Sequence, residues 1–329
     1  MRRRDLLISS LALPGLALPA LAQPALAQPA LAQPRWPNRP LRFVVPFAAG
    51  GPVEIPARFL AEALAPVLGQ PVVVETRGGA GGAVGAQAVI ASQDGHTFLF
   101  TTGAIAIQPA LQPEIGYDPQ KDLVPVSLIS EAPMGFAARP NGRVKDLPGL
   151  IALAKADPGA VTIGSSGNGT TTHMVSALFA LRAGIEWTHV PYRGGGQMVG
   201  AFLGGDIDLM SVDLATGMPH AKEGRAVFIG QSGTARSPVI PDVPCLQEVV
   251  PGAALSIWFA LLGPKGTPPE VVQKLAGALA GFRTSALAGL MAQNGGALLL
   301  TPPEALAARL NTELPLWRQV VAQAGLKAD

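Results

Sequence analysis

The 329-residue chain holds one cysteine, Cys245, which excludes an internal disulfide and any cysteine-built zinc site. Charge is scarce too, at 14% of residues, and aromatic side chains make up only 5%. Lys+Arg number 24 and Asp+Glu 22; without Arg2, Arg3, Arg4 and Asp5, which fall in a segment expected to be removed, 21 of each sign remain. A mature chain of zero net charge has no basic field to draw in nucleic acid or a membrane surface. The histidines His96, His173, His189 and His220 are scattered, with no His-Glu-x-x-His and no close pair, so no metal is expected. Neither Gly-x-Gly-x-x-Gly nor Gly-x-x-x-x-Gly-Lys-Ser/Thr occurs, so no nucleotide cofactor is expected, and no other cofactor is implied.

What is abundant is apolar and turn-forming. Hydrophobic residues reach 48%, with 39 glycines and 32 prolines, enough for a core and for frequent turns, and the length suits two lobes better than one. The first residues read as an export signal: three arginines at 2–4, an apolar run Leu6 to Leu13, then Ala-Leu-Ala-Gln-Pro at 20–24, 25–29 and 30–34. Pro14, Pro19 and Pro24 interrupt the run too early for a membrane span. The reading is a signal peptide over residues 1–32, cut between 22 and 33, with general secretion and the twin-arginine route both open and a periplasmic product expected.

Past residue 40 the chain repeats strand, glycine turn, helix. Arg42 to Phe47 leads through Ala48-Ala49-Gly50-Gly51 to a helical pattern at Ala57, Leu60, Ala61, Leu64 and Leu68. Val72 to Glu75 leads through Gly78 to Gly82 to a helix from Val84, and Thr97 to Phe100 runs into Thr101-Thr102-Gly103. The second half repeats this with Val161 to Gly164 before Ser165 to Thr170, with Trp187 to Val190 before Pro191 to Gly196, and with Ile207 to Val212 ending at Asp213. Such alternation predicts an α/β fold with a mostly parallel sheet. With no long polar linker, the two lobes are expected to be joined by segments crossing inside continuous strands near 131–138 and 253–260. The lobes are then 35–134 with 255–329, and 135–254.

Glycine turns at the carboxyl ends of strands are where open α/β sheets hold ligands, and helix N-termini offer unpaired N–H groups to an anion. Ser165-Ser166-Gly167 resembles a nucleophile elbow but misses Gly-x-Ser-x-Gly, which leaves a Ser166/His173 pair as the only hydrolytic arrangement. The alternative for these residues is a helix cap with a polar histidine beside it. A site of Ser, Thr, Asn, Gly and backbone N–H, short of bases and nucleophiles, suits reversible capture of a carboxylate rather than catalysis.

Ordered motifs then carry a resemblance. They are Val44-Val45-Pro46-Phe47-x-x-Gly50-Gly51, Gln70-Pro71-Val72-Val73-Val74-Glu75, Gly79-Ala80-Gly81-Gly82, Tyr117-Asp118-Pro119, Ser165 to Thr170, His189-Val190-Pro191-Tyr192-Arg193-Gly194, and Arg236-Ser237-Pro238 with Pro241-Asp242-Val243-Pro244. From about residue 38 onward the chain resembles the Bug-type substrate-binding receptors of tripartite tricarboxylate transporters. The resemblance implies a type II periplasmic binding protein, a monomer with two α/β lobes, holding a small carboxylate partly through ordered water and passing it to membrane transporter subunits. It implies ligand contacts from Phe47, Ala48, Ala49, Gly50, Gly51 and Gly81, and from Ser166, Asn168, Gly169, Thr170, Tyr192, Arg193, Gly194 and Asp213. Departures gather in the first loop, where Ala49 replaces a proline and Pro52 follows the glycines. Glu54 replaces an aspartate there, expected to cap its helix at N3 and to line the cleft. Gln108-Pro109 stands where Asn-Pro is usual. An exported enzyme using Ser166 and His173, or a ligand sensor for a signalling partner, would share this scaffold.

Overall fold

The structure is a computed structural model that describes residues 36–47, 49, 53–283, 286–293 and 295–326. The expected signal peptide and Ala48, Gly50, Gly51 and Pro52 lie outside the described residues. Trp36–Asp329 forms one compact unit.

In chain order the elements are β1 (Leu41–Val45), α1 (Glu54–Leu68), β2 (Val72–Thr76), a 3-10 turn (Ala80–Gly82), α2 (Ala83–Ile90), β3 (Thr97–Thr102), α3 (Ala104–Leu111) and α4 (Pro119–Asp122). Next come β4 (Leu123–Ala138), α5 (Leu147–Ala156), β5 (Thr162–Ser165), α6 (Thr171–Ala183), β6 (Thr188–Pro191), α7 (Gly195–Gly204), β7 (Leu209–Asp213), α8 (Leu214–Lys222) and β8 (Val227–Gln231). The chain ends with α9 (Leu246–Val249), β9 (Ser256–Pro264), α10 (Pro269–Ala280), α11 (Ala286–Gln293), β10 (Ala297–Leu298) and α12 (Pro303–Ala324). No helix among the described residues is long and apolar enough to cross a membrane.

Local sequence sets most of these boundaries. Asp146 accepts the N–H of Gly149 to start α5, and Thr170 accepts that of His173 to start α6. Gly69, Gly184 and Gly205 end α1, α6 and α7 in the left-handed conformation. Buried strands show why the sheet needs both faces covered: in β1, Phe43 and Val45 join one core cluster and Val44 the other. Glu54 differs from its expected place. It is the first residue of α1, after Val53 at the N-cap, and its carboxylate is gripped by the Arg58 guanidinium one turn on.

The strands run in the order β2-β1-β3-β9-β4-β7-β5-β6, with β8 and β10 also paired to β4. β4 belongs to both halves of this array. Its stretch Leu123–Pro133 pairs with β9, while Met134–Ala138 pairs with β7 and β8. The return crossing is not inside a strand: Leu255 donates its N–H to Ser232 and β9 begins only at Ser256, opposite Pro133. The sheet is also less parallel than the sequence predicts. β1 is parallel to β2 and β3, and β5 to β6 and β7, but every pairing of β4 and β9 is antiparallel. The chain leaves one half along β4 and comes back along β9, so these neighbours must point in opposite directions.

One face of the first half is covered by α1 and α10, around Phe43, Phe98, Phe100 and Leu275. The opposite face carries α2, α3 and α12, and this cluster runs on without a break to Phe136, Met174 and Phe179 in the second half. There α7 and α8 cover the remaining face, around Met198, Phe202 and Met210.

Candidate functional site

Register alone places the strand ends. Thr102, the last residue of β3, lies opposite Phe259, which lies opposite Ser130 of β4; Asp213, the last residue of β7, lies opposite Met134. The carboxyl ends of the parallel strands in both halves therefore point at one another across four residues of β4, about 13 Å of strand. Turns that follow β3, β5, β6 and β7 are all delivered to this line.

The turn after β5 is the most elaborately bonded. Ser166 N–H donates to Thr172 Oγ1 at 3.0 Å, Gly167 N–H to Ser165 Oγ at 3.2 Å, and Gly169 N–H to His173 Nδ1 at 3.1 Å. Thr170 N–H donates to the Gly167 carbonyl, which also accepts from Thr170 Oγ1 at 2.7 Å. These amides are thus engaged inside the turn. At the start of α6 the N–H groups of Thr171 and Thr172, both buried, meet no acceptor among the described residues, as expected for the first turn of a helix.

The histidines take different partners from those the sequence suggested. Ser166 Oγ pairs with Thr172 Oγ1 at 2.9 Å, while His173 is occupied by Gly169, so no Ser166/His173 pair forms. The serine that meets a histidine is Ser165, completely buried, 2.7 Å from His189 Nε2. The His189 ring stacks on His173 with centroids 3.9 Å apart. Burial, reinforced by the neighbouring His189, pushes the His173 pKa down to about 3, so it is neutral and a hydrogen-bond acceptor for the turn. Ser165 and His189 sit on adjacent strands far apart in sequence, and no motif spacing pointed to them.

The other expected residues are distributed around this line. Tyr192 donates its N–H to the Ser165 carbonyl at 3.0 Å and is half-buried; burial, with Asp206 nearby, raises its phenol pKa. Arg193 is exposed, its N–H bound to Gln197 Oε1, and its guanidinium has no acidic partner among the described residues. Gly194, at φ 118°, is the N-cap of α7. Asp213 caps α8, taking the N–H and hydroxyl of Thr216, each at 2.8 Å. Asn168 is half-buried in the turn, Ala49 is exposed, and Phe47 packs against the core beside Gly82.

Gly81 and Gly169 meet at one side chain. Gly81 has φ 61° and Gly169 φ 69°, and a Cβ on either would strike Gln108 of α3. At Gly169 the added atom would lie 2.8 Å from Gln108 Nε2 and 2.6 Å from Leu111 Cδ1; at Gly81 it would collide with the same carboxamide. The sequence marks Gln108 only as a departure from a familiar dipeptide, because its importance comes from α3 being carried to the strand ends by β3.

Comparison with known proteins agrees with this geometry. The profile of the tripartite tricarboxylate transporter family receptor matches residues 56–323. The structure of the periplasmic binding protein BugD is 32% identical, covering 89% of this chain and 100% of that one, with a TM-score of 0.76. Rpa4515 of R. palustris, solved with adipate, is 30% identical over 89% of this chain and 99% of its own, with a TM-score of 0.79. MatC from Rhodopseudomonas palustris, solved with bound malate, is 31% identical over 87% of this chain and 100% of its own, with a TM-score of 0.77.

Proposed function

The chain belongs to the tripartite tricarboxylate transporter receptor family, whose receptors are periplasmic solute-binding proteins, and from that premise we propose that it captures a small dicarboxylate between two lobes and delivers it to membrane transporter subunits. The lobes of this reading are residues 35–134 with 255–329, and 135–254, and residues 1–32 are its export signal. The observation that carries it is the convergence of the strand ends of both halves on Ser130–Met134, which brings the Gly81 turn and the Gly169 turn to the same place. Adipate and malate in two relatives at 30% and 31% identity point to the ligand class.

The anion is assigned to the N-terminus of α6. The open N–H groups of Thr171 and Thr172 and the positive end of the helix favour a carboxylate without a fixed cation. Phe47, Ala49, Glu54 and Gly81 are assigned to the opposing wall, with Ser166, Asn168, Gly169, Thr170, Tyr192, Arg193, Gly194 and Asp213 around the α6 side. Micromolar capture requires about −8.2 kcal/mol, within reach of four or five charge-assisted hydrogen bonds of about 1.5–3 kcal/mol each.

Native mass spectrometry of freshly purified protein from an exporting host tests both parts. The expected result is a chain beginning between Gln23 and Pro34 that carries a diacid by mass. A chain retaining Met1 would remove the export claim, and a non-acidic ligand would remove the carboxylate claim.

A further inference from the structure

We infer that Gln108 is a specificity-determining residue of this cleft, donating a hydrogen bond to the bound diacid from between the two glycine turns and limiting the length of diacid that fits. The inference rests on the carboxylate reading above. It begins from burial: Gln108 is 3% exposed, a long polar side chain carried inward by an otherwise apolar helix. Such a group is costly unless its donors and acceptors are used. Its oxygen is used, accepting from Gln112 Nε2 one turn along α3 at 3.2 Å.

That contact turns Nε2 the other way, toward Gly81 and Gly169. Nε2 meets no acceptor among the described residues, although it lies at the junction where the α6 N-terminus and the Gly81 turn face each other. A side-chain N–H donor with no acceptor among the described residues, set against the Gly169 turn that leads into the open N–H groups of Thr171 and Thr172, is arranged for an oxygen acceptor from outside the protein. Being neutral, the carboxamide adds no cation to the site, so it discriminates by position and reach rather than by charge. Its size matters as well. Gly81 and Gly169 are tolerated only without a Cβ, which means that the carboxamide fills the space between the turns and forms one end wall of whatever the cleft holds.

Two substitutions separate the donor from the wall. Gln108→Leu keeps much of the bulk and deletes the donor; Gln108→Asn keeps the donor and withdraws it by one methylene. Succinate, adipate and suberate are titrated by calorimetry into the full chain and both variants, with ligand-free melting curves confirming folding. Gln108→Leu is expected to weaken each diacid that the wild type binds by about tenfold or more, the fold-change of one charge-assisted bond. Gln108→Asn is expected to shift the adipate-to-succinate affinity ratio toward the longer acid by about three- to tenfold, the value of one methylene's fit. The inference is overturned if Gln108→Leu binds as the wild type does, or if Gln108→Asn leaves the ratio unchanged, while the wild type still binds diacids and the carboxylate reading stands. A wild type that binds none of the three overturns that reading and this inference together. The asparagine arm keeps the test decisive should the leucine variant fail to fold.

Discussion

Gly169 and Gly184 share a left-handed backbone, at φ 69° and 62°, but only Gly169 is crowded; nothing lies within 4 Å of a Cβ added at Gly184. Gly184→Ala should therefore cost only the backbone preference, about 1 kcal/mol, and leave ligand affinity intact. Gly169→Ala should lose at least about 1 kcal/mol more through overpacking against Leu111 and Gln108, and bind diacids more weakly. Urea melts and calorimetry on the pair check this, and equal losses would remove the crowding argument. His173 gives a second expectation with a definite sign. Its folded pKa of about 3 lies below its ordinary 6.5, so the unfolded chain takes up the extra proton as pH falls through that window. This contribution is intact above pH 6.5 and is lost toward pH 3, with a slope of about 1.4 kcal/mol per pH unit. His173→Gln should flatten the slope in urea melts between pH 7 and 4; an unchanged slope would mean that His173 is not held neutral. The cap at Thr170 was legible from a threonine preceding an apolar helix. The stacking of His173 on His189 was not, since it depends on how β6 lies under α6.

Among the elements, α12 holds the most consequential anchor. Glu313 is 5% exposed, and its carboxylate accepts from Trp258 Nε1 at 2.9 Å, Trp317 Nε1 at 3.3 Å and Arg309 Nε at 2.5 Å. Burial raises its pKa and the Arg309 cation works against that rise. Glu313→Ala leaves two buried indole N–H groups without their acceptor and the Arg309 guanidinium with Glu131 as its remaining partner, and should destabilise by about 2–5 kcal/mol. Glu313→Gln, retaining one acceptor oxygen, should lose less; urea denaturation of the two variants decides between them, and equal losses would count against the hydrogen-bond account. Helix α5 was readable because the Asp146 cap and the helical spacing of Leu147, Leu150 and Ala154 agree. Helix α3 was not, because Ala104 to Gln108 are all buried and an apolar segment surrounded on all sides shows no period. Strand β4 was read only as a crossing, since Pro125 and Pro133 interrupt its pattern. The structure accommodates Pro125 at a register shift against β9 and places Pro133 next to the change of partners. The excess of parallel pairing expected from the strand–helix alternation failed at β4 and β9, which carry the chain out of one half and back again and so run in opposite directions.

For the whole molecule, the two-lobe reading predicts closure on ligand, with β4 as the shared strand about which the halves rotate. Solution scattering with saturating adipate or malate should show a smaller radius of gyration than without; no change would count against closure. The alternation of strands and glycine turns made the architecture legible, whereas the meeting of the Gly81 and Gly169 turns on one side chain depends on an arrangement that no local pattern records. The position of β9 also has a consequence for the order of assembly. In the sheet it lies between β3 and β4, yet the ribosome makes it long after both. The half built on β5, β6, β7 and β8 has all its strands once Gln231 has emerged, while β3 and β4 must wait for Ser256–Pro264 before their inner edges are covered. A nascent chain thus completes its second half before its first. A product cut short before Ser256 would leave those two edges bare, with Phe98, Phe100 and Ile129 stripped of the strand that packs beside them, and such edges recruit strands from other chains. Truncated products should therefore clump rather than persist as half molecules.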